Sequence, residues 1–448
     1  MVARNLNGHD ARGPTVPGGC SEVAEDVWLS FRGGTLFGDP SIPLKYGHGA
    51  GRGMGAHFRF VHCADLHLGS RFKGVSVRDP AMGERMTESV FESFGRIVDL
   101  ARSEKADFMV IAGDAFDEST ITPATRHRFA SELGRLGIPC FIARGNHDPH
   151  TSWESSIPYP DNVHEFGTEP EYIELEGLDG VEIVGASFAD WHEERNLPSM
   201  VRGSLDRFTV ACMHCDVDTA GAQYDYSPCR LSDMVGRGVD YWAIGHIHKR
   251  AVLSEDPYVV YPGNIQGRKI SESGEKGCYL VTVDDGRVSE LRFVPTQGIV
   301  WRDLEVDITG KTMEGVIAEL RGTVREGDIV RVTFRGSGDL DAMLRLHASE
   351  NAEYLSKVLG CTVCDLVAET TPDIDLDARA GGSDMTAKAI AAGRGLAASG
   401  REAILSVIMA NTIAARHRDY FESLSDESLA ELAEEATGFL VARLEGSR

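Results

Sequence analysis

Five short polar clusters, each following a run of apolar, strand-forming residues, constrain this chain more than any other feature. In order they are Asp65-Leu66-His67, Gly113-Asp114-Ala115-Phe116-Asp117, Gly145-Asn146-His147-Asp148, His214, and Gly245-His246-Ile247-His248. The runs before them are Phe58-Arg59-Phe60-Val61-His62, Phe108-Met109-Val110-Ile111-Ala112, Cys140-Phe141-Ile142-Ala143, 207–213 and 241–244. Helical spacing separates the early strands, at 84–103 (Met86, Val90, Phe94, Ile97, Val98, Ala101) and at 123–136. Strands alternating with helices predict a layered α/β fold, with the loops at the carboxyl ends of the strands as the place where a site is built. Further strands are expected at 181–186, 258–261 and 278–283. They come without intervening helices, which predicts a mixed sheet or two sheets.

Taken singly, each cluster is weak evidence. A lone histidine is usually a satisfied structural residue, and a lone Gly-Asp is usually a turn. Their joint occurrence in this order, each after a strand, is hard to reconcile with chance. Asp-x-His and His-x-His put alternate side chains of an extended segment on one side, so two ligands from one segment can reach the same metal pair. Glycines before Asp114, Asn146 and His246 permit sharp turns off the strand ends. Mixed nitrogen and oxygen donors suit manganese, iron or zinc better than calcium. Two such ions about 3.5–4 Å apart can clamp an anionic phosphate ester and acidify a water. The expectation is therefore a binuclear centre of two divalent metal ions, manganese first, for hydrolysis of a phosphoester.

Charge limits the partners. The 448 residues carry a formal net charge of −24, which argues against a protein that coats nucleic acid through a broad basic surface. It leaves room for a nuclease, because two divalent ions add positive charge where the phosphate sits. Local basic residues follow the first cluster (Arg71, Lys73, Arg78) and the last (Lys249, Arg250, Arg268, Lys269). Of these, Arg71, Lys249 and Arg268 are the candidate substrate contacts. Phe72, Trp191 and Tyr261 are the aromatic residues nearby. No apolar run reaches the length of a membrane span and no apolar leader is recognised, so a cytoplasmic location without a membrane partner is expected. The nine cysteines read as reduced thiols. Cys212 and Cys215 read as small buried side chains, and Cys361-x-x-Cys364 as ordinary thiols.

Along the chain, residues 1–55 are rich in Gly, Pro and Arg without periodicity and are expected to be a disordered extension, with Met54 a candidate start. Residues 56–297 would form the site-bearing domain. Strands at 301–308 and 329–334, with helices at 312–321 and near 339–349, suggest a small α+β domain over 298–373. Residues 374–448 read as helical, with one long helix at 401–421 and a last helix capped by Ser425. Its apolar stripe is Leu429, Leu432, Ala433, Ala436, Leu440 and Leu444. That stripe packs on its own domain or docks a partner.

As a set, D-x-H, G-D-x-x-D, G-N-H-D, H and G-H-x-H resembles the calcineurin-like metallophosphoesterase superfamily over residues 58 to about 266. The resemblance implies that Asp65, His67, Asp114 and His248 hold the first metal. It implies that Asp114 bridges, and that Asn146, His214 and His246 hold the second. His147 would approach the leaving oxygen as a general acid or charge stabiliser, with Asp117 a candidate to orient it and Asp148 to fix the loop. His62-Cys63-Ala64-Asp65-Leu66-His67-Leu68-Gly69, with Tyr241–Lys249, resembles the DNA-repair exonucleases of the SbcD type. Tyr261-Pro262-Gly263-Asn264-Ile265-Gln266-Gly267-Arg268 resembles their YhaO branch. That likeness implies a DNA exonuclease or endonuclease with a capping domain and C-terminal helices. It also implies DNA and an SMC-like coiled-coil ATPase as partners; a homodimer is admitted among the assemblies. Two other readings stand beside it: a phosphodiesterase or phosphatase on small-molecule or protein substrates, and a non-catalytic regulator of the ATPase.

Overall fold

A computed structural model describes residues 57–70, 72, 80–117, 121–151, 159–218, 226–371, 373 and 376–446. The expected extension over 1–55, the start at Met54, and Arg71, Lys73 and Arg78 lie outside the described residues.

In chain order the first elements are β1 (His57–Cys63), α1 (Pro80–Ser103), β2 (Phe108–Ala112), α2 (Pro123–Leu136), β3 (Cys140–Ala143), β4 (Val163–Glu165), β5 (Glu171–Glu174), β6 (Val181–Ala186), α3 (Leu197–Met200) and β7 (Phe208–His214). There follow β8 (Asp216–Val217), β9 (Pro228–Cys229), β10 (Tyr241–Gly245), β11 (Ala251–Glu255), β12 (Tyr258–Tyr261), β13 (Gly277–Asp284) and β14 (Arg287–Pro295). Two six-stranded mixed sheets result, in the orders β14-β13-β1-β2-β3-β4 and β11-β12-β10-β7-β6-β5. This is the layered α/β arrangement expected from the sequence.

Period-two alternation explains why the sheets stack. Phe58 and Phe60 of β1, Phe108 and Val110 of β2, Phe208 and Val210 of β7, and Tyr241 and Ala243 of β10 all enter one buried cluster between the sheets. Their neighbours point the other way. Val61, Met109 and Ile111 pack under Phe94, Ile97, Phe129 and Leu133 of α1 and α2. Ala211, Met213, Trp242 and Ile244 pack with Leu197, Val201 and Met234 on the far side of the second sheet. The parallel runs β1-β2-β3 and β7-β10 are in register, for example Cys63 opposite Ile111 and Gly245 opposite His214. Their carboxyl ends therefore come out together.

Beyond β14 lie β15 (Trp301–Asp307), α4 (Met313–Thr323), β16 (Ile329–Ser337), α5 (Leu340–Leu346), α6 (Ala348–Leu359) and β17 (Thr362–Thr371). These three strands form a parallel sheet. Val316, Ile317, Leu320, Leu344 and Leu355 from the helices cover it with a core of its own. Further on are α7 (Leu376–Ala380), α8 (Met385–Ala398), α9 (Arg401–Met409), α10 (Arg418–Ser423) and α11 (Asp426–Gly446).

The single helix expected over 401–421 is broken. Asn411 turns the chain by accepting the backbone N–H groups of Ile413 and Ala414 on its side chain, competing with the helical bonds as such residues do. Ser425 caps α11 by accepting from Ser428 N at 3.1 Å. The buried stripe of α11 is also rotated from the expected one. Leu429, Ala433, Thr437 and Val441 are buried, whereas Leu440 is 50% exposed. Gly393 of α8 explains the rotation, because a Cβ there would lie 1.8 Å from Thr437 Oγ1. Absence of a side chain lets the two helices close on that line. No helix among the described residues is long and apolar enough to cross a membrane.

Candidate metal centre

The loops leaving β1, β2, β3, β7 and β10 meet at one place. Backbone bonds zip the first two together: Asp65 N to Gly113 O at 3.0 Å, His67 N to Asp114 O at 2.9 Å and Leu68 N to Ala115 O at 3.0 Å. Asp148 accepts Gly145 N at 2.8 Å and Phe116 N at 3.2 Å, tying the third loop to the second. Asp65, His67, Asp114 and His246 all have positive φ, from 48° to 114°. Such a conformation is costly for these residues and tends to mark working sites.

Glycines let the two sheets approach this closely. Gly113, at φ +92°, has the positive φ that the sequence suggested for a sharp turn. Gly145 and Gly245 are needed for space instead. A Cβ on Gly145 would sit 2.3 Å from Asp114 Oδ1, and one on Gly245 would sit 1.9 Å from Ala112 O. Since a backbone carbonyl cannot swing aside, Gly245→Ala is expected to push the sheet ends apart. The stability cost should be about 1–3 kcal/mol, together with loss of most of the Mn2+-induced rise in melting temperature. Thermal melts with and without Mn2+ check this.

All seven expected ligands stand in the nest. His67 Nε2 faces His248 Nε2 at 3.1 Å. Asp114 Oδ2 lies 3.8 Å from His67 Nε2 and 3.5 Å from His214 Nε2, between the two histidines. Asn146 Oδ1 is 3.0 Å from His214 Nε2 and 3.2 Å from His246 Nδ1. Asp65 Oδ1 accepts His246 N at 3.1 Å. Donor atoms of Asp65, His67 and His248, and likewise of Asp65, Asp114 and His214, lie within 4.8 Å of one another, as cation ligands must. His147 joins His67 and Asp114 in a third such group.

The chemistry of these donors fits divalent cations. Asp65 and Asp114 are each 1% exposed, and two buried carboxylates side by side need positive charge. Burial, then Asp114, pushes the Asp65 carboxyl well up. Burial opposes ionisation of Asp114 as well, but His214, His147 and His67 hold it below the usual range. Burial drives His67 and His246 down to about 3, and lowers His214 and His248, which favours the neutral ring that a metal ligand needs. His214 Nδ1 lies 3.0 Å from Ala112 O, to which it must donate. Its Nε2 therefore presents a lone pair to Asn146 Oδ1, another acceptor. Two acceptors in contact lack a proton between them, and a cation supplies what is missing.

The remaining expected residues divide. His147 Nδ1 is 2.6 Å from Asp117 Oδ1, and its side chain is 42% exposed. Asp117 also accepts Ser70 Oγ at 2.5 Å and Arg268 Nη1 at 3.2 Å. Arg268 is thus committed to an internal carboxylate, whereas Lys249 is exposed. Tyr261 is no stacking platform: it is buried, and its hydroxyl donates to Cys215 O at 2.7 Å. Phe72 is likewise core, and Trp191 is exposed. Ser70, Glu272 and Lys276 approach the nest without any sequence signal. Glu272 faces His248 Nδ1 at 2.9 Å, and Lys276 Nζ donates to His248 O at 2.9 Å.

Carboxylates, imidazoles and an amide converging from the strand ends of two stacked sheets define the metallophosphoesterase class. Residues 58–250 are a calcineurin-like phosphoesterase domain, the family whose model they match; that family is built on a binuclear divalent metal site. The chain is 37% identical over 258 residues to the uncharacterized metallophosphoesterase YhaO of Bacillus subtilis, covering 56% of this chain and 63% of that protein. It is 26% identical over 272 residues to the DNA double-strand break repair protein Mre11 of Aeropyrum pernix (56% and 64%). The Mre11 of Methanopyrus kandleri is 26% identical over 312 residues (62% and 65%). The match thus spans less than two thirds of each of these relatives.

Proposed function

We propose that the chain is a two-metal phosphodiesterase acting on DNA, as an exonuclease or endonuclease of repair, with manganese as the working metal and iron or zinc as substitutes. The observation that carries the hydrolytic part is the acceptor-lined nest with a part-exposed His147 at its edge. In this reading Asp65, His67, Asp114 and His248 hold one ion. Asn146, His214 and His246 hold the other, and Asp114 is shared. Bound there, the pair would offset phosphate charge and acidify a water.

The chain's own residues do the rest. His147 stands outside the ligand set because Asp117 takes its Nδ1, leaving Nε2 to give a proton to the leaving oxygen. Burial works against the charged ring, but Asp114 and hydrogen-bonded Asp117 outweigh it and raise its pKa to about 9. With Asp114 engaged as a ligand that pull would weaken, and Asp117 would be the main support of the charged ring. Ser70 and Arg268 hold Asp117 from its other oxygen, which fixes the direction of the imidazole. Lys249, exposed beside His248, remains the described candidate for a backbone phosphate.

DNA as substrate is supported by the SbcD-like and YhaO-like motifs and by the Mre11 relatives. Residues 56–297 would be catalytic and 298–373 would cap them, with 374–448 offering helices to an SMC-like ATPase. Among the described residues, seven buried cysteines carry free thiols, which supports a reducing compartment such as the cytoplasm. A small-molecule or protein phosphoesterase remains the second reading, favoured by the −24 charge and by the engagement of Arg268. Linear duplex DNA with Mn2+, assayed with and without a coiled-coil ATPase partner, separates them. Degradation is expected. Hydrolysis of a bis-aryl phosphate with the duplex left intact would reject DNA and keep the metal site.

A further inference from the structure

Glu272 sits in the connection between β12 and β13, where no motif marks it. Its residue is only 6% exposed. One carboxylate oxygen faces His248 Nδ1 at 2.9 Å. The other accepts Arg268 N at 2.8 Å and Asn264 Nδ2 at 2.8 Å. The same connection grips the backbone of His248, whose carbonyl accepts Lys276 Nζ at 2.9 Å and Asn264 N at 3.3 Å. His248 is thus held at its ring and at its main chain by one loop.

A carboxylate can only accept, so His248 Nδ1 must carry the proton of that bond. The lone pair is left on Nε2, which points at His67 Nε2, 3.1 Å away. The opposite tautomer would turn a proton into the nest and set a lone pair against the carboxylate. Ligand histidines commonly have their second nitrogen fixed in this way, which raises the basicity of the first.

We propose that Glu272 is a positioning residue of the metal centre: it sets the tautomer and ring angle of His248 so that Nε2 is ready to ligate before any ion arrives. This rests on the two-metal reading above. The competing role is a plain brace, in which Glu272 merely ties Asn264 to Arg268 and His248 gains nothing from it. A brace would lower the stability of the metal-free chain and leave metal affinity alone.

Mn2+ alone is the probe, titrated by calorimetry into the full chain, with metal-free melts in parallel. In Glu272→Gln the side chain keeps its size but loses its anionic acceptor. Affinity for one of the two ions is expected to fall about 10–100-fold, with the metal-free melting temperature close to that of the parent. Turnover should recover as Mn2+ is raised, because the variant still folds around the same ligands. Glu272→Asp keeps the charge but draws it back by one methylene, and should fall between parent and Gln; it decides the matter alone if the Gln variant fails to fold. Parent-like Mn2+ affinity in the folded variants overturns the inference while leaving the metal centre intact. A parent chain that binds no Mn2+ overturns the two-metal reading itself.

Discussion

Asp114→Ala is expected to lose both bound ions and, with them, all measurable phosphodiester hydrolysis. The carboxylate is the one group placed between His67 and His214, 3.8 and 3.5 Å from their Nε2 atoms. Without it neither half of the nest keeps enough negative charge. The metal-free chain should respond differently. Asp65 and Asp114 repel each other in a buried place, so the site is arranged for ions at some cost to the empty fold. Alanine also strands His147 N, which donates to Asp114 Oδ1 at 2.9 Å, at a cost of about 1–3 kcal/mol. Asp114→Asn removes the charge and keeps that acceptor. It should therefore melt above Asp114→Ala when metal-free, yet gain nothing from Mn2+. The parent should gain about 2.7 kcal/mol for each bound ion at a hundredfold excess over that ion's Kd. Melts of the three proteins with and without Mn2+ check both halves. A full Mn2+ response in Asp114→Asn would contradict the bridging role.

His147→Ala should behave in the opposite way. It should bind two ions with parental affinity and lose about 10²–10⁴ in kcat, the usual contribution of a positioned proton donor. The imidazole is the exposed member of the constellation, and Asp117 occupies its Nδ1 at 2.6 Å. Its proximity to His67 and Asp114 makes ligation the rival role. Equal metal loss in His147→Ala and Asp114→Ala would establish that rival. The loss should shrink on substrates with a good leaving group, such as a bis-aryl phosphate, because an oxygen that departs as a weak base needs no proton.

The residues gathered in this nest were legible because their chemistry is rare at strand ends. Asp65, Asp114 and His248 announce themselves by type and by the short apolar, strand-forming runs before them. What stayed hidden depends on distant partners. Glu272 is one acid in a polar stretch, and only folding sets it against His248. Ser70 reaches Asp117 across 47 residues of sequence. Tyr261 stands near basic residues in the sequence, but its hydroxyl has a backbone partner that the sequence cannot display. The break at Asn411 was missed because the apolar spacing of 401–421 runs on past it, while the turn is made by a side chain competing for backbone bonds. Gly145 and Gly245 were recognised as necessary for turns, and the structure gives a different necessity, the space between two sheets.

The central claim is that these ligands hold two ions joined through one carboxylate. Electron paramagnetic resonance of the Mn2+-loaded chain, with the metal counted per protein, tests it most directly. Two Mn2+ per chain with the signature of exchange coupling is the predicted result. A single uncoupled Mn2+, or two that do not sense each other, would contradict it.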